Sequence, residues 1–277
     1  MKLYKHVRGK RIEDLVNKTI RFSQTGAFND PFEVEPFISF KPSTTINGQA
    51  IIEELTKFAS QIGLTEFSVT YLTDKLLDYI NEKILGNLTN KKDIGLYLAK
   101  WIESQIGILS LSENNDNPLM WGHYTDDHTG FLIEFDTDKV FFTDKHELSP
   151  NSTFGTFRQV DYRLVRPDRD LSKMSQTELF NVKSLDWSYE KEWRMLMPLT
   201  KGNKVLDKSN IAREFPKGFP VITFSFNPNA ITGVILGCRA SHSLTKDVNN
   251  LKNTSDYSHL DIKKAELDTK TFKIIIS

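Results

Sequence analysis

Tyr189-Glu190-Lys191-Glu192-Trp193-Arg194-Met195-Leu196-Met197 alternates in a way that predicts a strand over 189–197. Alternate side chains of a strand share a face. Tyr189, Lys191, Trp193 and Met195 then point one way, and Glu190, Glu192, Arg194 and Leu196 the other. Two carboxylates two residues apart sit about 7 Å apart by strand rise. One can hold a sugar hydroxyl while the other handles a proton or an acceptor group. Arg194 on the same face favours the ionised form of both. Glu192 and Glu190 are therefore the candidate catalytic pair, with Arg194 beside them. The competing account is a solvated strand face with a local ion pair, since charged strand faces are common.

Strand patterns recur around this segment. Before it, Leu3–Val7, Thr19–Ser23, Gly107–Ser112, Gly130–Asp136 and Val160–Tyr162 read as strands. After it come Val221–Phe226, Gly233–Leu236, His259–Glu266 and Thr271–Ile276. Helical spacing marks Ile12–Asn17, Leu171–Ser184 and His242–Asn253. It also marks the long run 49–106, where Ile51, Ile52, Leu55, Phe58 and Ile62 begin a series that continues to Trp101 and Ile102. The expectation is an α+β fold with a mixed, mostly antiparallel sheet. It is a single domain over 1–277, with 49–106 a helical insertion or subdomain packed to one side.

The chain has 277 residues, enough to bury a sizeable core without disulfides. Charged residues make up 26% and hydrophobic ones 39%, which is globular and not disordered composition. Lys plus Arg and Asp plus Glu both number 36, so no overall charge favours nucleic acid or an anionic membrane. The single cysteine, Cys238, excludes an internal disulfide and a cysteine-rich zinc site, and suits a reducing cytoplasm. It follows Gly237 at the end of an apolar strand and reads as a small buried hydrophobe. The basic start, Met1–Arg11, has no apolar run behind it, so no secretory signal is expected there. No stretch reaches the roughly 20 apolar residues of a spanning helix. The expected location is the cytoplasm. Phosphate-loop, dinucleotide-fingerprint and nucleophile-elbow patterns are all missing.

Four further groups carry possible chemistry. Ser110 and Ser112 share a strand face, where short hydroxyls can position a ligand or a neighbouring carboxylate. Tyr4, His6 and Arg8 are alternate residues of the first strand and offer a ring, an imidazole and a guanidinium for a base, ribose or phosphate. Phe28-Asn29-Asp30-Pro31-Phe32-Glu33 is a polar turn pinned by two phenylalanines, presenting Asn29 and Asp30. Met120-Trp121-Gly122-His123-Tyr124 is a short aromatic helix or turn. Met120 and Trp121 are expected to pack in the core, while His123 and Tyr124 can face a pocket; Trp121 is also a candidate for stacking a ligand ring. His123 and His128 are five apart, not the helical metal spacing, so no metal is expected.

These motifs together resemble a bacterial and phage family, domain-of-unknown-function family 2971. The resemblance rests on Leu3-Tyr4-Lys5, the Phe28–Phe32 turn, Leu109–Glu113, Met120–Tyr124 with Gly130-Phe131, Tyr189–Arg194 and Ile235–Cys238. It runs in order over nearly the whole chain and implies no activity. A weaker resemblance, to arginine-specific ADP-ribosyltransferases, implies one. It places Arg8 or His6 as the basic residue gripping NAD, Ser110 and Ser112 on the serine strand, Glu192 as the catalytic glutamate and Glu190 on the acceptor side. Leu111 stands where the transferases usually carry threonine.

Three functions follow as expectations. The first is an NAD-cleaving enzyme, an ADP-ribosyltransferase or NAD glycohydrolase, acting as an effector in bacterial conflict or phage defence. NAD is then a substrate, and a protein is a possible acceptor. The second is a non-catalytic sensor binding a nucleotide or a protein through 28–33 and 121–124. The third is a metal-dependent nuclease using Asp30, Glu33, Asp126 and Glu190, disfavoured by the balanced charge.

Overall fold

The computed structural model describes residues 1–32, 37–38, 60, 105–142, 154–169, 176–205, 214–215 and 219–277. The run expected to form a helical insertion, 49–106, lies outside the described residues apart from 60, 105 and 106.

The frame is an eight-stranded sheet, antiparallel except at one pairing. Its strands, in chain order, are β1 (Lys2–Val7), then after a second-sheet strand β2 (Thr19–Phe22), β3 (Ile106–Ser112), β4 (Phe131–Asp136) and β5 (Phe157–Gln159). A parallel pair follows, β6 (Asp161–Arg163) and β7 (Val182–Ser184). Next come β8 (Glu192–Pro198), β9 (Asn203–Lys204), β10 (Ile222–Ser225), β11 (Ile231–Leu236), β12 (Asp261–Leu267) and β13 (Ile274–Ile276). The large sheet runs β13-β12-β11-β4-β1-β3-β8-β5, and β9-β10-β2 form a small second sheet. Among the described residues the helices include α1 (Glu13–Val16), α2 (Pro118–Tyr124), α3 (Gln176–Phe180) and α4 (His242–Lys252). The α+β architecture with a mostly antiparallel sheet is thus present.

Alternation explains why the sheet has two cores. Leu3 and Val7 of β1, with Phe131, Ile133 and Phe135 of β4, join the main core with Phe22, Phe224 and Phe226. Tyr4, Leu132 and Ile235 face the other way and pack on Trp121 with Ala265 and Ile274. Helix α2 covers this second face. It starts because Asn117 caps it, its Oδ1 accepting from the Leu119 and Met120 amides, with Pro118 at the first helical position. Two glycines permit close backbone approach. A Cβ on Gly130 would lie 2.1 Å from the Val7 carbonyl oxygen, and one on Gly237 2.1 Å from that of His128.

Three expected elements differ. The strand expected over 189–197 is a 3-10 helix, Leu185–Glu190, followed by β8. The break is Lys191, which caps the helix in the left-handed region at φ 43°. Alternation alone cannot reveal such a turn, because Glu and Lys suit either conformation. The helix expected over 171–184 is confined, among the described residues, to α3, and Val182–Ser184 is a strand. The strand at Val160–Tyr162 is two short strands, β5 and β6, with buried Val160 between them.

Candidate functional site

β1 and β3 are neighbours in the sheet, yet their register holds one pair, Tyr4 with Ser112. Beyond it they part. The vacated edge of β3 is taken by Ser23, which exchanges both backbone hydrogen bonds with Ile108 at 2.9 and 2.8 Å. Between these points the Ser110 carbonyl accepts a hydrogen bond from Lys5 Nζ at 2.9 Å. A cavity of about 210 Å³ lies in this opening. Residues from both faces of β1 line it, which is why Tyr4, Lys5, His6, Val7 and Arg8 all border one space.

A buried ionic network lies at one end. Lys183 Nζ, on β7, donates to Glu190 Oε2 at 2.6 Å and to Glu192 Oε2 at 3.1 Å. Arg194 grips Glu192 with Nε on Oε1 at 2.9 Å and Nη2 on Oε2 at 3.0 Å. Tyr124 donates its hydroxyl to Glu190 Oε1 at 2.6 Å. Glu190, Glu192 and Asp30, which face these two cations, are all buried. The left-handed Lys191 is the local cause, because it folds the 3-10 helix back so that Glu190 meets Glu192 across one ammonium. Burial pushes the Glu192 carboxyl up. Lys183 opposes this, Glu190 adds to it, and a hydrogen bond from Ser110 opposes it again. Burial works against the charge of Lys183, but Glu192 and Glu190 outweigh it and hold the ammonium above its ordinary value. Burial, reinforced by Glu190, raises the Tyr124 phenol. Arg194 also donates to the Phe180 carbonyl, and its guanidinium stands 5.6 Å from the centre of the Phe28 ring.

Most residues singled out in the sequence border this cavity. Glu190, Glu192, Ser110, Ser112, Tyr4, His6, Arg8, Asn29, Asp30, His123 and Tyr124 all line it. Their roles divide. Ser110 stands beside Glu192 and favours its charged form. The Ser112 hydroxyl is taken up locally: it donates to the Glu190 carbonyl and accepts from the Asn114 amide at 2.9 Å. Ser112 therefore shapes the wall and is not a free ligand contact. Arg8 lies past the end of β1, pairs with Asp126 at 3.1 Å and is half exposed. His6 is edge-on to Trp121 and Tyr124, and its buried Nε2 has no hydrogen-bond partner among the described residues. Burial, with Lys5 adding to it, pulls its pKa down to about 3, so the imidazole is neutral.

Two candidates do not reach the cavity. Trp121 is fully buried, with its indole N–H donating to the Asn115 carbonyl at 2.7 Å. Arg194 sits behind Glu192. The Phe28–Glu33 turn is only half pinned: Phe28 packs on the core, whereas Phe32 is 62% exposed. Asp30 Oδ1 instead accepts the Phe32 amide at 2.9 Å, closing a local turn. Cys238 is half-buried, not fully buried, and lies outside the cavity.

Lys183, Trp187, Arg11 and Arg21 also line the cavity, and no motif marked them; Lys5, which lines it too, stood in the Leu3-Tyr4-Lys5 motif without a role assigned to it. Lys183 stands 4.9 Å above the Trp187 ring. A buried carboxylate pair requires a cation, and that requirement was the signal available for Lys183. Among the described residues no group of three His, Cys, Asp or Glu side chains is arranged to hold a metal. Of the proposed nuclease set, Asp126 pairs with Arg8 and Glu33 lies outside the described residues. No helix among the described residues is long and apolar enough to cross a membrane.

Fold and site together define an α+β protein with a split central sheet and a buried carboxylate–lysine–carboxylate centre. Residues 120–195 match a family model described as protein of unknown function (DUF2971). The resemblance drawn from the motifs is thus borne out over that segment, which spans α2 to the start of β8 and carries both glutamates, Lys183 and Tyr124. No curated protein and no solved structure matches the chain.

Proposed function

We propose that the cavity binds NAD and cleaves its nicotinamide–ribose bond, in the manner of an ADP-ribosyltransferase or NAD glycohydrolase. The observation that carries this reading is the Glu190–Lys183–Glu192 centre at the cavity wall. Cleavage passes through an oxocarbenium-like state, whose positive charge needs an anion already in place. Glu192 supplies such an anion, held by Arg194 and Lys183 so that no reorganisation is needed as charge develops. Around it three carboxylates, Glu190, Glu192 and Asp30, face two cations, Lys183 and Arg194. Glu190, with Tyr124 on its other oxygen, is suited to receive the proton of an attacking water or acceptor group. Neutral His6, with an unpartnered buried nitrogen, offers a hydrogen bond to a ribose hydroxyl.

A volume of about 210 Å³ is below the roughly 300–1,000 Å³ typical of small-molecule pockets. It suits one portion of a dinucleotide, the ribose and its neighbours, not the entire molecule. A role in bacterial conflict or phage defence, inside the cytoplasm, belongs to the same proposal.

The test is nicotinamide release from NAD by purified protein. Release abolished in Glu192→Gln, with the fold intact by circular dichroism, supports the mechanism. Equal release by the variant overturns it. A second reading, a nucleotide sensor without catalysis, is favoured by one observation: both oxygens of each glutamate already have protein partners. Saturable NAD binding with no release by wild-type protein would select that reading.

A further inference from the structure

Three further cations border the same cavity. Lys5 of β1, Arg11 of the turn that follows it and Arg21 of β2 all line the opening. They are near enough to one another that Arg11 and Arg21 each disfavour the charge on Lys5, and Arg11 disfavours that on Arg21. Resting on the nucleotide reading above, we propose that Lys5, Arg11 and Arg21 form an anion subsite that takes the ligand's phosphate groups. Glu190 and Glu192 then take its ribose, which fixes the direction in which the ligand lies.

Like charges held close in a partly enclosed site disfavour one another, and Asp14 offsets this at Arg11. The groups facing Lys5 are Arg11, Arg21, Asp14, Glu192 and, next in sequence, His6. Of the two carboxylates, Asp14 is in contact with Arg11, and Glu192 is held by Lys183 and Arg194. The hydrogen bond of Lys5 to the Ser110 carbonyl uses one of its three donors. Burial, then Arg11, depresses Lys5 to about 8, and burial lowers Arg21 to about 10. A phosphate group between them reverses these pressures and favours the charged forms.

The probe is inorganic pyrophosphate, titrated into the full chain by calorimetry at pH 8 in two buffers of different ionisation enthalpy. Expected are saturable binding, proton uptake as Lys5 charges, and at least tenfold weaker binding in Arg11→Gln and Arg21→Gln. Arg21 is buried, so its variant can lose the fold. Arg11 has a side chain 30% exposed and carries the test alone in that event. No binding at millimolar pyrophosphate, or unchanged affinity in Arg11→Gln, overturns the subsite. Nicotinamide release is read separately. Pyrophosphate binding without release leaves the subsite standing and removes the NAD-cleavage reading. Release that saturating pyrophosphate fails to inhibit removes the subsite and leaves cleavage standing.

Discussion

Replacing Lys183 with methionine isolates the carboxylate pair. Its nitrogen lies 2.6 Å from Glu190 Oε2 and 3.1 Å from Glu192 Oε2, so those oxygens are less than about 6 Å apart. Without the ammonium, two buried carboxylates face each other. At an effective dielectric of 20, unit charges about 6 Å apart repel by roughly 3 kcal/mol. That agrees with the roughly 3–5 kcal/mol lost when one partner of a buried ion pair is removed. Against a total stability of about 5–15 kcal/mol, the variant should be clearly destabilised at pH 8.

The loss should depend on pH. In the wild type, Lys183 is held above its ordinary value, so its contribution is complete below about 10.4 and flat from pH 5 to pH 8. In the variant the folded pair binds a proton more readily than the unfolded chain, so stability rises as pH falls toward 5. Urea unfolding followed by circular dichroism should give a smaller deficit at pH 5 than at pH 8. Adding Glu190→Gln should recover part of the deficit at pH 8. A deficit under about 1 kcal/mol, or one equal at both pH values, would refute the assignment of Lys183 as the shared counter-ion.

Tyr124→Phe removes the hydroxyl on Glu190 Oε1 and leaves Lys183 on Oε2, so a loss of about 1.5–3 kcal/mol is expected by urea unfolding. Gly237→Ala drives a methyl into the His128 carbonyl, which backbone cannot yield easily; a fall in melting temperature of several degrees, or insoluble expression, is expected. Arg8→Ala breaks a half-exposed pair with Asp126, and stability should change by less than about 1 kcal/mol in the same denaturation assay. Pyrophosphate affinity should weaken as pH rises through about 8, where Lys5 loses its charge, and calorimetry at pH 7 and pH 9 compares the two states.

The sheet was legible because its strands carry strong alternation. Phe131, Ile133 and Phe135 enter the main core, and β3, β4, β8, β11 and β12 fall within two residues of their expected limits apart from the start of β8. Lys191 is the instructive miss. A single left-handed residue converts a predicted strand into a helix-turn-strand, yet still brings Glu190 and Glu192 to one cation. The pairing of the glutamates was thus anticipated on the wrong geometry. Met120 and Trp121 pack in the core as expected, the indole nitrogen of Trp121 finding a backbone carbonyl. Arg11, Arg21 and Lys183 were not legible, nor was a role for Lys5. Their importance comes from the parting of β1 and β3, which depends on long-range register and not on neighbouring residues.

The most direct test is calorimetric titration of NAD into the wild-type protein, with nicotinamide release measured on the same sample. The account predicts saturable binding and release, with release lost in Glu192→Gln while the fold persists. An absence of binding at millimolar NAD would contradict it.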